Sequence, residues 1–236
     1  MINYFQKGNL MKRKWLALSL TLALASTSSL LYADTNADID AGETKAASCV
    51  SCHGEKGNSM VSTFPKLAQQ DESYLQKQLH AFKDGSRKNP MMASIAQSLS
   101  DKDIADIAAY YMAQKVSAND LPVANDDDDD KPAQTEAEKK AAMDKIMADG
   151  SNLYRNGDIA NEVSACIACH GPLGEGNEPA AFPALRSQHA DYLIKTLTDF
   201  KMGNRSNSDE NMMHMITKKM SVEEIKAVSY RISMMK

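Results

Sequence analysis

The sequence predicts an all-α protein made of two tandem copies of one domain, and three observations carry that expectation. The chain repeats a set of motifs in the same order, and apolar residues in each copy recur at helical spacing with no convincing alternating strand. Aromatic residues make up only 6% of 236 residues, so each core must draw apolar bulk from elsewhere, and a bound cofactor is one candidate. The length suits two domains of about 100 residues each. With 43% apolar and 25% charged residues the chain reads as globular.

The repeat is specific. Cys49-Val-Ser-Cys52-His53-Gly54 returns as Cys166-Ile-Ala-Cys169-His170-Gly171 at an offset of 117. Phe64-Pro65-Lys66-Leu67 returns as Phe182-Pro183-Ala184-Leu185, and Phe82-Lys83 with Arg87 as Phe200-Lys201 with Arg205, both at 118. Met91-Met92 returns as Met212-Met213 at 121, after a three-residue insertion.

In chain order, residues 1–33 read as a secretory signal. Lys12, Arg13 and Lys14 precede an uncharged run from Trp15 to Ala33, and Met11 is the expected start. Cleavage after Ala33 or earlier, near Ala23-Leu24-Ala25, fits the small-residue rule; the same run also approaches the length of a membrane anchor. The first domain is expected over 34–118 and the second over 136–236. Between them, residues 119–135 form an acidic linker in which Asp126 to Asp130 repel one another and stay solvated, a calcium site being the rival reading. Removing the four basic residues of the leader takes the net charge from −4 to −8, which argues against a nucleic-acid partner.

Within each domain, Tyr74, Leu75, Leu79 and Phe82 mark one helix and Tyr192, Leu193, Leu197 and Phe200 its counterpart. Each copy then closes with a capped amphipathic helix. Ser100 with Asp103 opens one and turns Ile104, Ile107 and Tyr111 inward; Ser221 with Glu224 opens the other, with Ile225, Val228 and Ile232 inward.

The chemistry sits in the two cysteine pairs. Cys49 and Cys52, then Cys166 and Cys169, are each followed at once by His53 or His170, and CxxCH is the pattern of c-type haem attachment. Two thiols at that spacing reach the two vinyl groups of one macrocycle, and the adjacent imidazole reaches the iron. With five His in 236 residues, a chance His after both pairs is about one in 2,500. One shared zinc is disfavoured because the pairs lie in separate repeats, and a thioredoxin-like pair lacks its βαβ setting. The expected cofactors are two covalently attached haem c groups.

A sixth ligand decides carrier or catalyst, since iron capped by Met passes only electrons. Met92 and Met213 hold equivalent places, each seven residues before the residue preceding the last capped helix, with Met91 and Met212 as rivals. His80, His189 and His214 have no His at the matching positions, so bis-His ligation of both irons is disfavoured. Pro65 and Pro183 are expected to offer a carbonyl to the free N–H of each proximal imidazole, a turn after Phe being the plainer role. Arg87 and Arg205 are expected as exposed residues, with pairing to haem propionates as the alternative.

These residues resemble the dihaem cytochrome c4 family, tandem class I cytochrome c domains. The likeness rests on CVSCHG with CIACHGPLGEG, FPKLAQQ with FPALRSQ, YLQKQLHAFKDGSR with YLIKTLTDFKMGNR, and NPMMASIAQSLSDKDIADIAAYY. It implies Met92 and Met213 as axial ligands and two haem domains packed about a pseudo-two-fold axis. It implies a periplasmic one-electron carrier whose redox protein partners are the quinol-oxidising complex side as donor and a haem-copper oxidase or other terminal reductase as acceptor. Peripheral membrane association is compatible with it. The competing class is a dihaem enzyme of peroxidase or thiosulfate-oxidising type, which requires one exchangeable axial position. Two features depart from the family: a longer, Asp-rich linker, and Tyr230 where the first copy has Ala109.

Overall fold

Local capping chemistry starts most of the longer helices. In the first half, Asp38 caps α1 (Ile39–Lys45) by accepting from the Ala41 N–H at 3.0 Å. Asn89 caps α4 (Pro90–Gln97), where Pro90 takes the first position and gives up no needed N–H. Ser100 and Asp103 form a reciprocal capping box at the start of α5 (Asp101–Met112). The short α2 (Val50–His53) and the longer α3 (Glu72–Lys83) lie between α1 and α4. The second half follows the same plan with α6 (Glu136–Asn156), α7 (Ile167–His170), α8 (Ala190–Lys201), α9 (Met212–Thr217) and α10 (Val222–Ser233). Thr135 with Glu138 boxes α6, and Ser221 with Glu224 boxes α10.

This computed structural model describes residues 37–122 and 135–236. The leader expected over 1–33 and the Asp126 to Asp130 run lie outside the described residues. Thr35–Lys236 forms one unit. Among the described residues the β-structure is limited to two isolated bridges, Asp158 with Val163 and Asn177 with Phe182, so the all-α architecture of two tandem related domains holds. No described helix is long and apolar enough to cross a membrane.

In each half the first helix crosses the last at a glycine. A Cβ on Gly42 would stand 2.1 Å from the Asp106 carbonyl oxygen of α5, and one on Gly150 would stand 2.0 Å from that of Ala227 in α10. Only glycine permits this approach. Around the crossings, Leu75, Ile107, Ala108 and Tyr111 form the first core, and Leu153, Tyr154, Leu193, Ile225, Val228 and Ile232 the second. The inward residues expected on both capped helices are all buried.

The crossing of α1 and α5 also holds a buried charge. Asp106 accepts from the Asp38 N–H at 2.8 Å, from Lys45 at 2.8 Å and from Lys102 at 2.5 Å. Burial alone would raise its pKa, but these three donors outweigh it and hold the carboxyl well below the usual carboxylate range.

The halves meet through symmetric contacts. Arg87 donates to Tyr192 Oη and Arg205 to Tyr74 Oη, each at 3.0 Å, and Gln78 Oε1 accepts from both arginines. Asn119 Nδ2 reaches the carbonyls of Ser187, Gln188 and Ser233 at 2.9 to 3.1 Å, anchoring the end of the first half on the second.

Candidate functional site

Each CxxCH motif lies on a short helical stretch ended by glycine. Helical spacing sets the first Cys, the second Cys and the His at i, i+3 and i+4, so all three share one face. Gly54 (φ 74°) and Gly171 (φ 78°) cap α2 and α7 in a conformation that other residues rarely adopt. A Cβ on Gly54 would also meet the Asn58 carbonyl oxygen at 2.2 Å. The glycine of CxxCHG thus turns the chain away directly after the histidine.

His53 and His170 are 8% and 7% exposed. The Nδ1–H of His53 donates to the Pro65 carbonyl at 2.9 Å, and that of His170 to the Pro183 carbonyl, also at 2.9 Å. Phe64 and Phe182 stand beside the rings at centroid distances of 6.4 Å. The repeated Phe-Pro pair therefore holds each imidazole from two sides. Burial lowers both imidazole pKa values, which keeps Nε2 unprotonated and able to bind a metal.

No disulfide joins the cysteines. Burial raises the Cys49 thiol pKa and pushes Cys166 up to about 11, the opposite of the activated thiolate of a redox pair.

Both attachment motifs open onto one cavity of about 890 Å³, near the top of the ~300–1,000 Å³ range for single-ligand sites yet lined by two complete sets of attachment residues. Leu79, Phe82, Ile95 and Ile107 line it from the first half, and Leu197, Phe200, Ile216 and Val228 from the second. The helices α4 and α9 bring Met91, Met92, Met212 and Met213 to its wall. Met91 is 55% exposed, whereas Met92 and Met213 are half-buried, as is Met212. His214 turns its Nδ1 to the Phe200 carbonyl at 2.7 Å, and His189 Nε2 lies 2.9 Å from the Ser59 carbonyl.

The expectation of exposed arginines is corrected here. Arg205 is 8% exposed and stacks over Phe200 at 4.5 Å; Arg87 is half-buried and stacks over Phe82 at the same distance. Their guanidinium groups have neutral partners, with no carboxylate paired to either among the described residues. Burial would raise the pKa of Tyr192 between them, yet the two cations outweigh it and lower it. A sheltered positive potential at the edge of an apolar cavity suits a group with an apolar body and carboxylate substituents. Together with the thiol pairs and the oriented imidazoles, these residues fit two haem groups.

Sequence reasoning placed Tyr74 and Tyr192 only within helices and passed over Gln70, Gln78 and Gln188. The signal was present, because Gln70 and Gln188 repeat at the same offset of 118 as the Phe-Pro pairs. Only the meeting of the two halves shows their partners.

A family model described as Cytochrome c matches residues 39–115 and 147–233, one segment in each half. The cytochrome c4 of Pseudomonas aeruginosa is 41% identical over 91% of this chain and 95% of its own. A thiosulfate dehydrogenase electron acceptor from Thiomonas intermedia is 32% identical over 92% of this chain and 91% of its own. The crystal structure of reduced recombinant cytochrome c4 from Pseudomonas stutzeri matches with a TM-score of 0.73 and 38% identity, covering 85% of this chain and all of that one.

Proposed function

This chain belongs to the cytochrome c family and, within it, to the dihaem cytochrome c4 proteins, and on that premise we propose that it shuttles single electrons in the periplasm. As a dihaem electron-transfer cytochrome it takes two covalent haem c groups. The donor is the quinol-oxidising side of a respiratory chain and the acceptor a haem-copper oxidase or another terminal reductase. The observation that carries this reading is the duplication of the whole attachment set: two thiols, a buried imidazole and a proline carbonyl 2.9 Å from its Nδ1, twice around one cavity.

Each haem, when bound, supplies a one-electron iron couple. Cys49 and Cys52 would hold the first through thioethers, and Cys166 and Cys169 the second. His53 and His170 would present Nε2 to the metal, while the proline carbonyls fix the rings and would raise their basicity as ligands. Met92 and Met213 would supply a thioether ligand to each iron, which would favour the reduced state and a carrier's role over binding of substrate. Arg87 and Arg205 would offset the charge of the haem carboxylates, and the leucine, isoleucine and phenylalanine walls would exclude water.

Coulometric titration of the exported protein tests this: two electrons per chain, delivered onward to a purified haem-copper oxidase, support it. Peroxide or thiosulfate turnover by the protein alone would place it among the enzymes instead. A second reading of the donor rests on the relative named as a thiosulfate dehydrogenase electron acceptor, which makes such a dehydrogenase the electron source.

A further inference from the structure

We propose that Gln70 and Gln188 are positioning residues that tie each proximal histidine to the opposite half of the molecule through a shared peptide group. The inference rests on His53 and His170 as the iron ligands.

The peptide joining Pro65 to Lys66 is used at both ends. Its carbonyl accepts from His53 Nδ1 at 2.9 Å, and its N–H donates to Gln188 Oε1, also at 2.9 Å. Gln188 Nε2 returns a bond to the Lys66 carbonyl at 2.9 Å. The second half repeats the arrangement with roles exchanged. The carbonyl of the Pro183–Ala184 peptide accepts from His170 Nδ1 at 2.9 Å, its N–H donates to Gln70 Oε1 at 2.8 Å, and Gln70 Nε2 donates to the Ala184 carbonyl at 2.8 Å.

Neither amide is free to turn over. Gln70 Oε1 also accepts from the Asp71 N–H, and Gln188 Oε1 from the His189 N–H, each at 3.0 Å. A flipped amide would set its NH2 group against two N–H donors. Both side chains are buried, at 7% and 6% exposure, so water does not compete for these bonds.

The physical consequence follows from hydrogen-bond polarisation. A peptide whose N–H is donated carries more negative charge on its oxygen and accepts more strongly at the other end. A stronger acceptor for Nδ1–H makes the imidazole a more basic ligand, which favours ferric iron and lowers the potential. The residue that supplies this pull on the His53 site belongs to the second half, and the residue that supplies it on the His170 site belongs to the first. Docking of the halves therefore sets both potentials, and each half tunes the iron of the other.

The test uses the exported holoprotein with Gln188→Met and Gln70→Met, which remove the oxygen at nearly constant volume. Redox titration followed by NMR resolves the two haems. Gln188→Met is expected to raise the potential of the His53 haem by up to about tenfold in the one-electron equilibrium constant, or ~59 mV. It also moves the His53 Nδ1–H resonance of the reduced protein upfield and leaves the His170 haem in place; Gln70→Met does the mirror image. Gln188→Glu keeps an oxygen opposite the Lys66 N–H and returns the His53 values towards those of the unaltered protein. In that unaltered protein the Lys66 and Ala184 amide protons exchange only when the interface opens. A shift confined to the mutated half, equal shifts at both haems, like shifts from the Met and Glu variants, or free exchange of either amide overturns the relay. Loss of the low-spin spectrum at His53 or His170 would instead strike the ligand assignment beneath it.

Discussion

Replacing Gly150 by alanine tests the crossing on which the second site is built. The added Cβ would stand 2.0 Å from the Ala227 carbonyl oxygen, 2.6 Å from its carbon and 3.0 Å from Arg231 Cβ. Ordinary van der Waals contact begins at 3.4 Å, so α6 and α10 must part by roughly 1.4 Å, and two of the close atoms are backbone that has no rotamer to yield. Overpacking of this kind costs about 1–3 kcal/mol, and separation also loosens Leu153 and Tyr154 beneath the crossing. The helix gains about 1 kcal/mol from alanine's propensity, which offsets only part of the loss. The net expectation is destabilisation by about 1 kcal/mol, a fall of roughly 0.5 M in the urea midpoint. Because Val228 and Ile232 of α10 line the cavity, the second haem's absorption should report the transition before the first. Urea melts followed at the two haems check this. A variant as stable as the parent, or stabilised by the propensity gain, refutes the close crossing.

Met92→Ala and Met213→Ala are each expected to convert one haem to a high-spin, ligand-binding form while both remain attached; an unchanged spectrum in either variant reassigns that ligand to its neighbour, Met91 or Met212. Asp106 has its pKa lowered from 3.8, so its contribution to stability is complete above that value and is lost as pH falls through the lower folded one. Asp106→Asn should cost about 3 kcal/mol at neutral pH, and acid melts should show a weaker pH dependence below pH ~4 than the parent. Asp71 behaves oppositely. Burial and the nearby Glu178 raise its pKa from 3.8 to about 6, so its stabilising contribution is present below 3.8 and is lost as pH rises through about 6. Asp71→Asn should flatten the stability profile between pH 4 and 7 and gain ~1–2 kcal/mol at pH 7 after allowance for solvent at a half-buried site. Thermal melts across that range check it.

The parts of the fold legible in the sequence are those fixed by contacts close along the chain. Ser100 with Asp103 and Ser221 with Glu224 announce their helices because a capping box needs only three residues of separation. The attachment chemistry is equally local, and its repetition shows the duplication. Pro65 and Pro183 stand out in the sequence because each follows a Phe at a similar interval after its histidine, 12 and 13 residues, and their carbonyls lie 2.9 Å from the Nδ1 atoms of His53 and His170. Arg205 was misread because its burial depends on Tyr74 of the other half, 131 residues away. Gln70 and Gln188 showed only their repeat at offset 118, since an amide that brackets a peptide more than a hundred residues away leaves no sign of its partner near itself. The length of α6, 21 residues against 7 in α1, was also unforeseen, because its first turns carry charged residues that face solvent and give no core periodicity.

With Met92 and Met213 as ligands beside His53 and His170, neither iron would have a position for an added ligand. Carbon monoxide added to the fully reduced, exported protein tests it most directly. Two haems per chain whose spectra stay unchanged are the predicted result, and a carbon monoxide adduct at either one contradicts it.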